Sequence, residues 1–143
     1  HAVGEVSEEA KKLIQVTKEC FFEGIKYAKA GNHLFDISGA IGRYAEERGY
    51  GVVRDLCGHG IGTALHEAPE IPNYEVGRKG VKLRPGMTLA IEPMINIGTY
   101  EVDWLDDDWT VVTRDGSLSA HYENTILITE GEPRILSLTC DNE

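Results

Sequence analysis

The sequence predicts an α+β fold in which helices come first and a mainly antiparallel sheet follows. Two observations carry this. Apolar residues recur at helical spacing up to about residue 48, and beyond Gly51 they collect into short runs divided by turn signals. Segregated helices and strands with short connections argue against a parallel doubly wound sheet.

The first helix opens at Ser7, a residue suited to capping free backbone N–H groups, and Glu8 and Glu9 complement the positive end of the helix dipole. Leu13, Val16, Cys20, Phe21, Ile25 and Ala28 recur at three- and four-residue steps, with Lys11, Lys12, Lys18 and Glu19 largely between them. Gly31-Asn32 ends the pattern after about six turns. A second helix starts at Leu34 or Asp36 and runs to Arg48, with Ile37, Ala40, Ile41 and Tyr44 on one face and Gly49 as its stop. The strand candidates are 51–53, 87–95, 109–113, 120–129 and 133–136, divided by Arg84-Pro85-Gly86, Asp115-Gly116 and Glu130-Gly131. The acidic run Asp106-Asp107-Asp108 reads as a solvated loop tip.

A chain of 143 residues suits one domain. Hydrophobic residues at 41% and charged residues at 27% exclude a disordered or collagen-like chain. The net charge of -10 has the wrong sign for a phosphate backbone, which makes nucleic acid and anionic membranes poor partners. No apolar run is long enough to span a bilayer, and the first residues lack the layout of a signal peptide. Cys20, Cys57 and Cys140 have no Cys-x-x-Cys spacing, so neither a disulfide framework nor a thiolate zinc site is suggested, and a cytoplasmic protein with reduced thiols is expected. His1 stands where an initiator methionine is absent, which reads as a processed or cut end.

Cys57-Gly58-His59-Gly60-Ile61-Gly62 sets an imidazole among glycines, letting the backbone approach whatever His59 touches, although glycines at this density also serve as turn punctuation. His66, seven residues on, is either a second imidazole in the same space or a loop histidine. Glu92 stands inside the apolar stretch 87–95, and Glu123 directly precedes Ile126-Leu127-Ile128. Burying either carboxylate unpaired costs several kcal/mol. Two glutamates in separate core strands therefore call for a shared cation; the alternatives are an outward-facing position or a buried salt bridge. One imidazole and two carboxylates make a hard, oxygen-rich set suited to Mn, Fe, Co or Zn. Such an ion polarises a carbonyl and acidifies water, which leads to peptide or ester hydrolysis. A Gly-x-Ser-x-Gly elbow and a phosphate-binding lysine are both missing.

Cys-Gly-His-Gly-Ile-Gly, His-Glu-x-Pro, Leu-Arg-Pro-Gly-Met-Thr, Ile-Glu-Pro-Met and Tyr-Glu-Asn-Thr, in this order, resemble the type I methionine aminopeptidases over nearly the whole chain. The resemblance implies the pita-bread fold, here as a single domain over residues 1–143 that matches the C-terminal half of the catalytic domain, two helices on a curved sheet. It implies removal of N-terminal methionine from nascent peptides and proteins at a centre of two divalent metal ions. His59, Glu92 and Glu123 match metal ligands, and Glu92 also matches the general base. His66 matches the imidazole that contacts the substrate and steadies the tetrahedral intermediate. Leu65 and Trp109 match positions bordering the methionine side-chain pocket.

The family's centre has five protein ligands, and its two aspartates come from the other half of the fold, so this chain supplies three. In this sequence Asp36 reads as a helix cap, Asp55 lies between a strand and the glycine stretch, and 103–108 reads as a surface excursion. An isolated half exposes a strand edge and an apolar seam, and such surfaces recruit partners. The expected partners are thus a peptide or nascent-protein N-terminus with Met first, and a complementary N-terminal half or a second copy. A noncatalytic module that binds peptide N-termini is the alternative; creatinase- or prolidase-like hydrolysis ranks last on the wording of the motifs.

Overall fold

A computed structural model of the chain describes residues 1–138; Cys140 lies outside the described residues. Helix α1 spans Glu8–Ile25, and Ser7 caps it by accepting from Ala10 N at 3.2 Å. Its last turn comes earlier than the apolar period predicts. After Ile25 the chain tightens into i→i+3 turns, Tyr27 N to Gly24 O and Ala28 N to Ile25 O, and these still bury Ala28. Helix α2 spans Leu34–Glu46, with Asp36 closing a capping box by accepting from His33 N at 2.8 Å.

Gly39 and Gly42 lie inside α2, and each glycine costs a helix about 1 kcal/mol. Fully burying one isoleucine returns about 1.5–3 kcal/mol, and both Ile37 and Ile41 are fully buried, so packing outweighs propensity here. The glycines also make room. A Cβ on Gly42 would stand 2.8 Å from Tyr74 Cα, so only glycine lets the 73–75 segment lie against the helix.

The strands are β1 (Gly51–Val52), β2 (Gly58–Gly60), β3 (Glu67–Ile71), β4 (Thr88–Ile91), β5 (Met94–Asn96), β6 (Val102–Trp104), β7 (Val111–Thr113), β8 (Ser119–His121), β9 (Asn124–Leu127) and β10 (Arg134–Ile135). All pairings are antiparallel, in a sheet of order β10-β9-β4-β2-β3, a smaller sheet β1-β5-β8 and the hairpin β6-β7. Leu13, Phe21, Ile37 and Ile41 of the helices meet Leu89, Ile91, Ile95 and Ile126 of both larger sheets in one core.

Two of the expected strands are each broken in the middle. The stretch 87–95 divides at Glu92-Pro93 into β4 and β5, and 120–129 divides at Tyr122-Glu123 into β8 and β9. The breaks lie side by side: Ile91 pairs with Asn124 in one sheet, and Met94 pairs with His121 in the other. Pro93 has no N–H to give to a ladder, so pairing lapses at this level and the two-stranded ribbon passes from one sheet to the next. The acidic 103–108 stretch departs in part, because Val102–Trp104 forms half of a hairpin whose tip holds the three aspartates. Those aspartates are exposed, and Asp107 organises the tip by accepting from Trp109 N and Thr110 N.

Candidate metal centre

The break in the ribbon positions the site. Tyr122 packs against Phe21 of α1, with ring centroids 5.4 Å apart. Side chains alternate along a strand, so His121 and Glu123, which flank Tyr122, emerge on the sheet face away from the helix. Glu123 is accordingly exposed, which corrects the expectation of a core carboxylate at that position. Glu92 does match the expectation of a largely buried carboxylate, its side chain being 13% exposed. Its carbonyl, freed from the ladder next to Pro93, accepts from Asn73 Nδ2 at 3.1 Å. Asn73 is fully buried in the segment that Gly42 admits beside α2, so a helix glycine, a loop amide and the Glu92 main chain form one continuous support.

His59 sits on β2, a strand where the glycine stretch reads as a turn. The glycines have a packing cause. A Cβ on Gly58 would run into Ala90 O of β4, and one on Gly60 into Ala68 O beside the bulge facing β3. Only glycine lets β2 pass between its two neighbours, and this fixes His59 opposite Ala90 and Glu70.

His59, Glu92 and Glu123 come together. Each offers one donor atom, and these atoms lie within 4.8 Å of one another; no aspartate joins the group among the described residues. His59 Nδ1 lies 2.9 Å from Gly60 O, which assigns the ring proton to Nδ1 and leaves Nε2 a lone pair in the neutral ring. That Nε2 faces Glu92 Oε1 at 3.3 Å. Two lone-pair atoms at this distance repel unless a cation stands between them. Metal bonds of about 2.0–2.1 Å place neighbouring ligands of a tetrahedral site about 3.3 Å apart, so the donor pair fits a first-row divalent ion.

His66 stands beside this pair, its ring 4.2 Å from that of His59. Both imidazoles border an open cavity of about 590 Å3 lined also by Cys57, Glu67 and Glu70. Burial, then the neighbouring Glu70 carboxylate, pushes the Cys57 thiol above its ordinary pKa, and its sulfur is not among the three mutually close donor atoms. Leu65 and Trp109 are 69% and 84% exposed, and neither lines that cavity. His121 is the site residue the motifs did not yield. Its Nε2 lies 3.4 Å from Glu92 Oε2, and the signal was its place two residues before Glu123, on the same face of a strand.

Residues 1–130 match the family model of metallopeptidase family M24. The chain belongs to that family. It is 60% identical over 137 residues to a methionine aminopeptidase of Clostridium acetobutylicum, covering 96% of this chain and 55% of the relative. It is 51% identical over 130 residues to methionine aminopeptidase 1 of Bacillus subtilis, covering 91% of this chain and 52% of that one. Among solved structures, a methionine aminopeptidase from Thermotoga maritima superposes with a TM-score of 0.92 at 50% identity, over 96% of this chain and 55% of that one. A prolidase from Pyrococcus furiosus gives 0.72 at 26% identity, over 97% of this chain and 35% of its own. The fold of this M24 chain is thus of the pita-bread type, and the chain spans about half the length of the curated relatives it matches. Among the described residues, no helix is long and apolar enough to cross a membrane.

Proposed function

We propose that residues 1–143 form the C-terminal half of a metal-dependent methionine aminopeptidase, acting in the cytoplasm on peptides and nascent proteins that begin with Met. The observation that carries this reading is the cluster of His59, Glu92 and Glu123, whose donor atoms lie within 4.8 Å of one another with His59 Nε2 3.3 Å from Glu92 Oε1. A noncatalytic binding module has no physical need to hold an imidazole and two carboxylates this close together. His59, Glu92 and Glu123 hold the metal, Co, Mn, Fe or Zn, in a centre of two ions completed by ligands from a complementary N-terminal half or a second copy.

When bound, the ions supply a polarised peptide carbonyl and an acidic water. The chain's own groups do the rest. Glu92 accepts the proton of the attacking water and passes it towards the departing amine, a carboxylate's ordinary part in acid–base catalysis. His66, at the cavity edge 4.2 Å from the His59 ring, donates to the oxygen that gains charge at the scissile carbonyl. Leu65 and Trp109 border the methionine side chain once the complement covers them. Burying large apolar side chains that now face water stabilises such a complex by about 1.5–3 kcal/mol each.

His66→Ala separates these roles. The variant is expected to lose about 10²–10³-fold in kcat, the cost of one oxyanion donor, while metal content stays at the wild-type value. Elemental analysis beside a rate assay on a Met-Ala-Ser peptide checks it. Equal loss of metal would make His66 a ligand and overturn the division.

A further inference from the structure

We infer that His121 is a positioning residue that sets the orientation of the Glu92 carboxylate, an inference that rests on the metal-site reading above. Glu92 has two oxygens with different surroundings. Oε1 faces His59 Nε2 at 3.3 Å, and Oε2 faces His121 Nε2 at 3.4 Å. The two imidazoles stand on different strands, β2 and β8, and each faces a different oxygen of the carboxylate.

The main chain of Glu92 is already fixed through Asn73, so the freedom left to the residue is rotation of its side chain. A carboxylate that must both hold a cation and accept a proton needs its oxygens distinguished, one for each task. A proton on His121 Nε2, 3.4 Å from Oε2, makes that distinction, because it leaves Oε1 on the side of His59. Approaches of this length in a metal-free site tighten when the site fills. His121 is not itself one of the donors: the three mutually close atoms belong to His59, Glu92 and Glu123. Its partly exposed side chain lies on the open face of β8, opposite the core, and its pairing with Met94 is through the main chain. Substitution at 121 therefore leaves the fold in place.

The test is Co(II) titration, followed in the visible spectrum, of wild type, His121→Leu and His121→Gln, each as the chain and as its complex with the complementary half. Leucine removes the N–H; glutamine keeps one. His121→Leu is expected to weaken Co(II) binding about 10–100-fold, the usual cost of losing an outer partner of a ligand, with band positions at saturation unchanged. His121→Gln is expected to recover most of that loss. Wild-type affinity in the leucine variant, or failure of glutamine to rescue it, would overturn the proposal. Shifted bands at saturation would overturn it too, by making His121 a direct ligand. A wild-type chain that takes up no Co(II) in either form would overturn the metal-site reading, and the proposal with it.

Discussion

Glu92→Gln is expected to reduce methionine release by at least 10²–10⁴-fold, the contribution of a positioned general base, while leaving the fold intact. The substitution is nearly isosteric. It keeps an oxygen beside His59 and the backbone carbonyl on Asn73, so the support built from Gly42 and the 73–75 segment survives. What it removes is charge and basicity. An amide takes no proton from water, and the attraction between Glu92 and a cation falls with its charge. A circular dichroism spectrum and melting curve close to wild type, beside a lost rate, is the expected pair of results; turnover within tenfold of wild type contradicts the base assignment.

His59→Ala is expected to act one step earlier, on metal uptake. The His59 Nε2 is the nitrogen donor of the group, and neither Cys57 nor His66 is among the mutually close donors that could replace it. Loss of a direct ligand costs more than the 10–100-fold seen for outer partners, so calorimetry is expected to find affinity lowered by more than 100-fold. Backbone register is expected to survive, because His59 pairs with Ala90 and Glu70 through its main chain while Gly58 and Gly60 keep the close approaches. Undiminished metal binding would move the centre elsewhere.

The helices were legible because period and punctuation agree: Ser7 before Glu8 and Glu9, and an apolar stripe through Leu13, Phe21 and Ile25. The strands that form the site were harder. β2 and β3 are built on Gly58, Gly60 and Pro69, residue types depleted from strands, and their pairing is a tertiary fact that local propensity does not hold. The breaks at Glu92-Pro93 and Tyr122-Glu123 were hidden by apolar residues on both sides, since burial in two sheets looks like burial in one. Pro93 was the available sign. Glu92 stands out as charge within an apolar run, whereas the apolar run after Glu123 suggests burial and alternation from Tyr122 puts it on the open face. His121 carried no signal beyond its spacing from Glu123, and only the side-by-side breaks bring it to Glu92.

The central claim is that the chain holds part of a metal centre and needs a partner to complete it. Calorimetric titration of the metal-free chain with Mn(II) and Co(II), alone and with a separately made N-terminal half, tests it while methionine release from Met-Ala-Ser is followed. The account predicts tight metal binding and methionine release with the complement, and no release without it. A complemented form that binds no metal, or a chain that cleaves the peptide alone, would contradict it.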